Sequence, residues 1–335
     1  MKKKVLIVLA LIVVMAFVVT SCDELKSFFG DEEHGYTEGP CSVKWAGVRV
    51  SYYGMRSSFR TGKDFSFPSE SDMVGFGQKM SSCYEGSTGA YIIIVGTISS
   101  VRNDAGTKIV SGRCSLEFPL SKQIQNARGS EDDFYESYLD ALDEAGYSVW
   151  LQVEPGDADL VELATEVMNH YKHHSCVKGF GIDVEWYKYR ADLDKDGDEI
   201  SETETSEKLS DSLARKVVNA VRAINPDYTV FVKHWDEEWL PATYRDGLIF
   251  VNDSQYYDSA DDQRDDFAAW AEHFAPNPVM FQIGYSADRS KVWGKYSNPA
   301  KELGQHIVDG CRSGNDIGII WVDFTLKEAM SKISN

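Results

Sequence analysis

The chain has 335 residues, of which 53 are acidic and 34 basic, for a formal charge of −19. That charge repels a phosphate backbone, so nucleic acid is excluded as the expected partner in favour of something neutral or small. With 43% hydrophobic and 12% aromatic residues, disorder is excluded, and the length with no Pro- or Ser-rich linker favours one large α/β domain over several.

In chain order, Lys2, Lys3 and Lys4 precede an unbroken apolar run from Val5 to Val19, the n-region and h-region of an export signal. Val19-Thr20-Ser21-Cys22 then resembles the lipobox of bacterial lipoproteins, which implies a signal peptide over 1–21 and lipidation of Cys22. The polar, glycine-dotted stretch 22–40 reads as a flexible tether. The expected location is an exported domain, 41–335, held at a membrane by its lipid. Outside the cytoplasm Cys41, Cys83, Cys114, Cys176 and Cys311 can pair, although an odd number leaves one free. A monomer is expected.

From Val43 onward β-rich runs alternate with amphipathic helical stretches. Eight strands are expected, over 43–52, 90–101, 147–154, 177–186, 228–234, 248–255, 278–284 and 317–323. Leu160, Leu163, Ala164, Val167, Met168 and Tyr171 recur at helical spacing behind Asp157 and Asp159. Leu209, Leu213, Val217, Ala220, Val221 and Ile224 do the same, with Ser201 and Glu204 at capping-box spacing ahead of them. The stretch 101–119 reads as a hairpin added to the second βα loop. Eight βα units in about 295 residues fit a (β/α)8 TIM barrel, for which about 250 residues is typical. The absence of GxGxxG after the first strand argues against a doubly wound dinucleotide fold.

In such a barrel the chemistry sits at the C-terminal ends of the strands. The fourth strand ends Gly181-Ile182-Asp183-Val184-Glu185-Trp186, and its alternation turns Asp183 and Glu185 to the axis, where unpaired carboxylates are costly. Two like charges this close drive one carboxyl towards its protonated form, as a general acid requires. Glu185, nearer the rim, is the expected proton donor and Asp183 its orienting partner. Tyr52 ends the first strand, Glu154 the third, Trp235 and Asp236 follow the fifth, and Gln282 and Tyr285 belong to the seventh. This mix of flat rings and fixed polar groups suits a sugar, and Glu154 or Asp236 could serve a two-carboxylate mechanism.

Asp192, Asp194 and Asp196 followed by Gly197 have the spacing of a calcium loop, although position twelve is Thr203 rather than Glu, so a structural Ca²⁺ and a solvated acidic loop are the two readings; no cofactor is required. His173-His174-Ser175-Cys176 is not expected to hold a metal, because adjacent side chains at a helix end point in different directions.

Gly181-Ile182-Asp183-Val184-Glu185 resembles the end of the fourth-strand signature DxxDxDxE of glycoside hydrolase family 18, with Lys178 and Gly181 standing at the two earlier acid positions. Gln255-Tyr256-Tyr257-Asp258 is similar to that family's sixth-strand ending, and Trp321 to its eighth-strand Trp. The resemblance implies substrate-assisted cleavage of N-acetylglucosamine-containing glycans. Glu185 would protonate the leaving oxygen, Asp183 would hold the acetamido N–H, and Tyr257 would bond the acetamido group. Trp321 would floor the sugar, with Gln255 beside it. Two alternatives remain: a family 25 muramidase, whose first-strand acid is absent here, and a glycan-binding barrel like the chitinase-like lectins, which usually lack the Glu.

Overall fold

Short runs of β-branched and aromatic residues, each followed by an amphipathic stretch, define the elements of the computed structural model. It describes residues 39–102, 108–192, 200 and 203–333. The signal segment, Cys22, nearly all of the tether, Asp194, Asp196 and Ser201 lie outside those residues.

The first half contains β1 (Ser42–Val50), α1 (Tyr52–Phe59), α2 (Glu70–Ser82), β2 (Thr88–Arg102), β3 (Lys108–Leu116), β4 (Ala127–Gly129), α3 (Glu136–Glu144), β5 (Ser148–Val153), α4 (Leu160–Tyr171) and β6 (Val177–Asp183). The second contains α5 (Asp211–Ile224), β7 (Thr229–Lys233), β8 (Leu248–Asn252), α6 (Ala260–Phe274), β9 (Val279–Ile283), α7 (Pro299–Gly310), β10 (Asp316–Trp321) and α8 (Leu326–Lys332). Strands β1, β2, β5, β6, β7, β8, β9 and β10 pair in parallel in that order, and β1 with β10 closes the ring. The fold is a (β/α)8 barrel. The expected hairpin is β2 with β3, antiparallel from Gly96↔Leu116 outward, and β4 extends it.

Strand alternation divides the apolar residues into two cores. Trp45, Ala90, Ile92, Trp150, Phe231, Ile249, Val251, Met280 and Ile320 fill the barrel. The intervening residues, such as Val48, Ile93, Ile182, Val232, Phe281 and Ile319, join the helices in the outer core. Inside, Trp45 and Trp150 meet edge to face at 5.2 Å, and Trp150 Nε1 donates to Thr229 Oγ1 at 2.8 Å. The small residues of β6 serve this packing. A Cβ on Gly181 would lie 2.1 Å from the Phe231 ring, so glycine there is what lets Phe231 occupy the axis. Burial of that ring is worth about 1.5–3 kcal/mol.

Helix α4 forms as its sequence requires. Leu160, Leu163, Ala164, Val167, Met168 and Tyr171 are all buried, and Asp159 caps it by accepting from Val161 N and Glu162 N. Helix α5 starts later than its Ser201–Glu204 spacing suggests. Ser210 is the cap, accepting from Leu213 N, and Leu209 is pinned before the helix by its N–H on Trp239 O. The five cysteines from Cys41 to Cys311 are buried thiols, with no disulfide among them.

Candidate active site

The site grows from the last residues of the barrel strands. Above the apolar interior, the same alternation places Gln152, Asp183, Lys233 and Gln282 on the axis, all buried. Asp183 and Lys233 are the terminal residues of β6 and β7 and directly paired in register. Lys233 Nζ lies 3.1 Å from Asp183 Oδ2 and forms a closer ion pair with Asp253 Oδ2, just beyond β8. Gln152 Nε2 donates to Asp183 Oδ2 at 3.0 Å. One buried ammonium therefore bridges two buried carboxylates, an arrangement that offsets much of their desolvation.

Chain direction changes at the next residue. Strand β6 stops at Asp183, short of the expected 186, and Val184–Trp186 form a single 3₁₀ turn. Glu185 rides on that turn, partly exposed, above the Lys233 cluster. Loss of hydration pushes its carboxyl up to about 8; Lys233 opposes this, while Asp183, Asp253 and Glu154 reinforce it. Burial raises Asp183 as well, against the pull of Lys233. Glu154 follows β5 and accepts from Ile98 N at 2.9 Å; burial and the nearby Asp183 bring it to about 7. A partly exposed acid whose carboxyl is raised by lost hydration thus stands over a lysine-braced pair of carboxylates.

The opposite rim is built from β1 and β10. Arg49 Nε and Nη2 both donate to Asp323 Oδ1, at 3.1 and 2.6 Å, while Ser51 N and Oγ donate to Asp323 Oδ2, each at 2.7 Å. Ser51 also caps α1 by accepting from Gly54 N. Gly54 must be glycine, because a Cβ would sit 2.1 Å from the Asp323 carboxyl carbon. The Arg49 guanidinium lies 4.7 Å from the Phe324 ring and 5.9 Å from that of Tyr285. Tyr285 is buried and donates its hydroxyl to Gln282 Oε1 at 3.1 Å. Asp183 Oδ1, Asp253 Oδ1, Gln152 Oε1 and Gln282 Nε2 are buried without a protein hydrogen-bond partner. Such atoms carry unused capacity for a polar ligand.

Of the residues singled out from sequence, Asp183, Glu185, Glu154, Gln282 and Tyr285 gather at this mouth. Trp321, Tyr257 and Gln255 lie elsewhere. Trp321 points away from the axis, since Ile320 is the inward residue of β10; it is fully buried against Trp293, with its Nε1 on Thr325 Oγ1 at 2.9 Å. It cannot floor a sugar. Tyr257 gives its hydroxyl to Asp266 of α6 at 2.5 Å and packs edge to face on Phe267, in the outer layer. The chain turns there because Tyr256, at φ 71°, breaks the extended run beyond β8. Gln255 lies exposed on that same turn.

Tyr52 belongs to the first turn of α1 rather than to β1, and its ring stacks on Phe67, 6.1 Å between centroids. Trp235 is half exposed and stacked on His234, 4.1 Å between centroids. Burial lowers His234 to about 4, so its ring is neutral, and its Nδ1 accepts from Asp236 N. Asp236 spends its side chain on Glu238 N. Asp192 is exposed, and its N–H donates to Thr203 Oγ1 at 2.8 Å. Sequence reading missed Gln152, Asp253, Arg49 and Asp323 as site residues. Parity along their own strands would have found Gln152, two before Glu154, and Asp253, two after Val251.

The barrel and its acid-lined mouth define the class of molecule: a TIM barrel whose strand ends carry a buried lysine–carboxylate network beneath a raised-pKa glutamate. No family model matches the chain, and no curated protein sequence does so either. Among solved structures, it is similar to a candidate α-L-fucosidase from Bacteroides thetaiotaomicron VPI-5482, at 10% identity and a TM-score of 0.49, over 90% of this chain and 96% of that one. It is also similar to the β-1,4-D-mannanase from Cryptopygus antarcticus, at 11% identity and a TM-score of 0.47, over 89% and 93%. The endo-1,4-β-mannanase from Eisenia fetida is similar at 10% identity and a TM-score of 0.43, over 89% and 91%.

Proposed function

We propose that this barrel is a glycoside hydrolase in which Glu185 is the general acid. The observation that carries the reading is the partly exposed Glu185 carboxyl, raised to about 8 at the strand ends over the Asp183–Lys233–Asp253 cluster. Proton delivery to a leaving oxygen demands a group that is still protonated at working pH and open to substrate, and it contributes about 10²–10⁴-fold in rate.

We propose an N-acetylglucosamine-containing glycan as substrate. Asp183 supports this because Lys233 and Gln152 hold only its Oδ2, leaving Oδ1 free to accept the N–H of a 2-acetamido group while the acetamido oxygen attacks the anomeric carbon. With Tyr257 tied to α6, we assign that role to Tyr285, whose charged surroundings include Asp183, Asp253 and Lys233. We also propose that the domain is held at a membrane surface by a lipid on Cys22 and the tether 22–40.

The test is turnover of chitin oligosaccharides, N-glycans and peptidoglycan by the protein and by Glu185→Gln, Asp183→Asn and Glu154→Gln. Loss in the first two with survival of the third is expected. Survival of Glu185→Gln would overturn the assigned acid. Loss in Glu154→Gln with survival of Asp183→Asn would replace substrate assistance with a two-carboxylate mechanism.

A further inference from the structure

At the other end of β6 from Asp183, three residues before the strand begins, a second cluster of chemistry-bearing side chains takes no part in the barrel mouth. Helix α4 ends at Tyr171, and Lys172 to Ser175 turn into β6. Because His173 and His174 sit on that turn rather than in the helix, their rings converge, with centroids 4.1 Å apart at 39°. Both face Glu136, the first residue of α3. His173 Nε2 lies 2.8 Å from Glu136 Oε1, and His174 Nε2 lies 3.4 Å from Glu136 Oε2. The expectation that adjacent histidines cannot serve one ion does not hold here, since it assumed helical geometry.

The tautomer is set from behind. The buried His174 ring has its Nδ1 2.7 Å from Asp143 Oδ2, and the other Asp143 oxygen accepts from Ser175 Oγ and Cys176 N. In the neutral ring an Nδ1–H donated to that carboxylate leaves Nε2 as the lone pair, the form in which an imidazole binds a metal. His174 Nε2 is buried, makes no well-formed hydrogen bond, and faces Glu136 Oε2 at 3.4 Å. A proton on Nε2 or a metal ion would each satisfy this pair, and His173, whose Nε2 faces the other Glu136 oxygen at 2.8 Å, adds a third donor to the same point.

We propose that Glu136, His173 and His174 form a zinc site with one open coordination position. Their ligand atoms lie within 4.8 Å of one another. Tetrahedral zinc with bonds of about 2.0–2.2 Å sets its ligands roughly 3.4 Å apart, so small side-chain shifts suffice. Two imidazoles and a carboxylate are a borderline donor set that suits zinc over calcium or magnesium. Asp143 acts as the outer carboxylate that orients a metal-bound imidazole. The neighbouring His170 belongs to a different arrangement. Its partner Asp133 is already engaged by Tyr171 OH, Tyr135 N and Glu136 N, and its ring stacks on Phe118 at 4.3 Å. Bound zinc would clamp α3 to the α4–β6 turn, and the half-exposed Glu136 and His173 leave its fourth position to solvent.

The test is calorimetric titration of the chelator-treated protein with zinc chloride alone, together with the visible spectrum of the cobalt-loaded form. One zinc per chain is expected, with tetrahedral cobalt bands. Glu136→Gln and His173→Ala, both at half-exposed positions that leave the core intact, should each weaken binding by at least tenfold, and His170→Ala should leave it unchanged. Absence of binding heat, or a single site that survives His173→Ala at full strength, would overturn the proposal. Neither result depends on glycan turnover.

Discussion

Replacing Lys233 by Met removes the cation that joins Asp183 to Asp253 while keeping most of the side chain's volume. In the folded protein Lys233 is 2% exposed and Asp183 3%, so water cannot replace the lost ammonium. Breaking a buried pair by deleting one partner costs about 3–5 kcal/mol, because the other charge stays buried and uncompensated. The stranded carboxylates escape by binding protons, so their folded pKa values rise well above the unfolded value near 4. A carboxyl raised in this way stabilises fully below its unfolded pKa, and the contribution is lost as pH rises through the folded one. Each proton the variant holds beyond the parent therefore narrows the stability gap by about 1.4 kcal/mol per pH unit on acidification. Urea denaturation of both proteins at pH 5 and pH 8 measures this. The expected cost is about 3–5 kcal/mol at pH 8 and clearly less at pH 5. A cost below about 1 kcal/mol, or one equal at both pH values, would refute the view that Lys233 neutralises a buried acid pair.

Other substitutions separate packing from chemistry. Gly181→Ala drives a methyl into the Phe231 ring and should cost about 1–3 kcal/mol by thermal unfolding. Trp321→Ala should cost about 3–5 kcal/mol in the same assay, yet leave the KM of any glycan turnover unchanged, since the ring faces the helices. Tyr257→Phe removes a bond to Asp266 in the outer layer; it should cost about 1 kcal/mol or less and leave kcat within a few-fold. A large rise in KM for either aromatic variant would return it to the site. The rate of glycan cleavage should fall as pH rises through about 8, where Glu185 loses its proton; a flat alkaline limb would count against it.

The architecture was legible in the sequence because each barrel strand is a short β-rich run and each following helix shows its own period. Asp183 was legible for a related reason, as a carboxylate two residues past Gly181 on a strand that must face inward at that parity. Trp321 was not. Ile319, Ile320, Trp321 and Val322 are all apolar, so hydropathy cannot say which parity faces the axis, and only pairing with β9 and β1 decides it. Tyr257 failed differently, since the strand ends at Asn252 and the irregular turn after it resets the alternation. Arg49 and Asp323 act across strands far apart in the chain, and a spacing rule along one strand does not reveal such a pair. The zinc cluster was hidden by one assumption, that His173 and His174 continue a helix which in fact ends at Tyr171.

A general acid at position 185 must carry its proton at neutral pH. A carbon-13 NMR titration of the glutamate carboxyls, with the Glu185 signal assigned by its absence in Glu185→Gln, reads this directly. The expected midpoint lies near pH 8. A midpoint close to 4.5, the ordinary value for a glutamate carboxyl, would contradict the assignment of Glu185 as the acid.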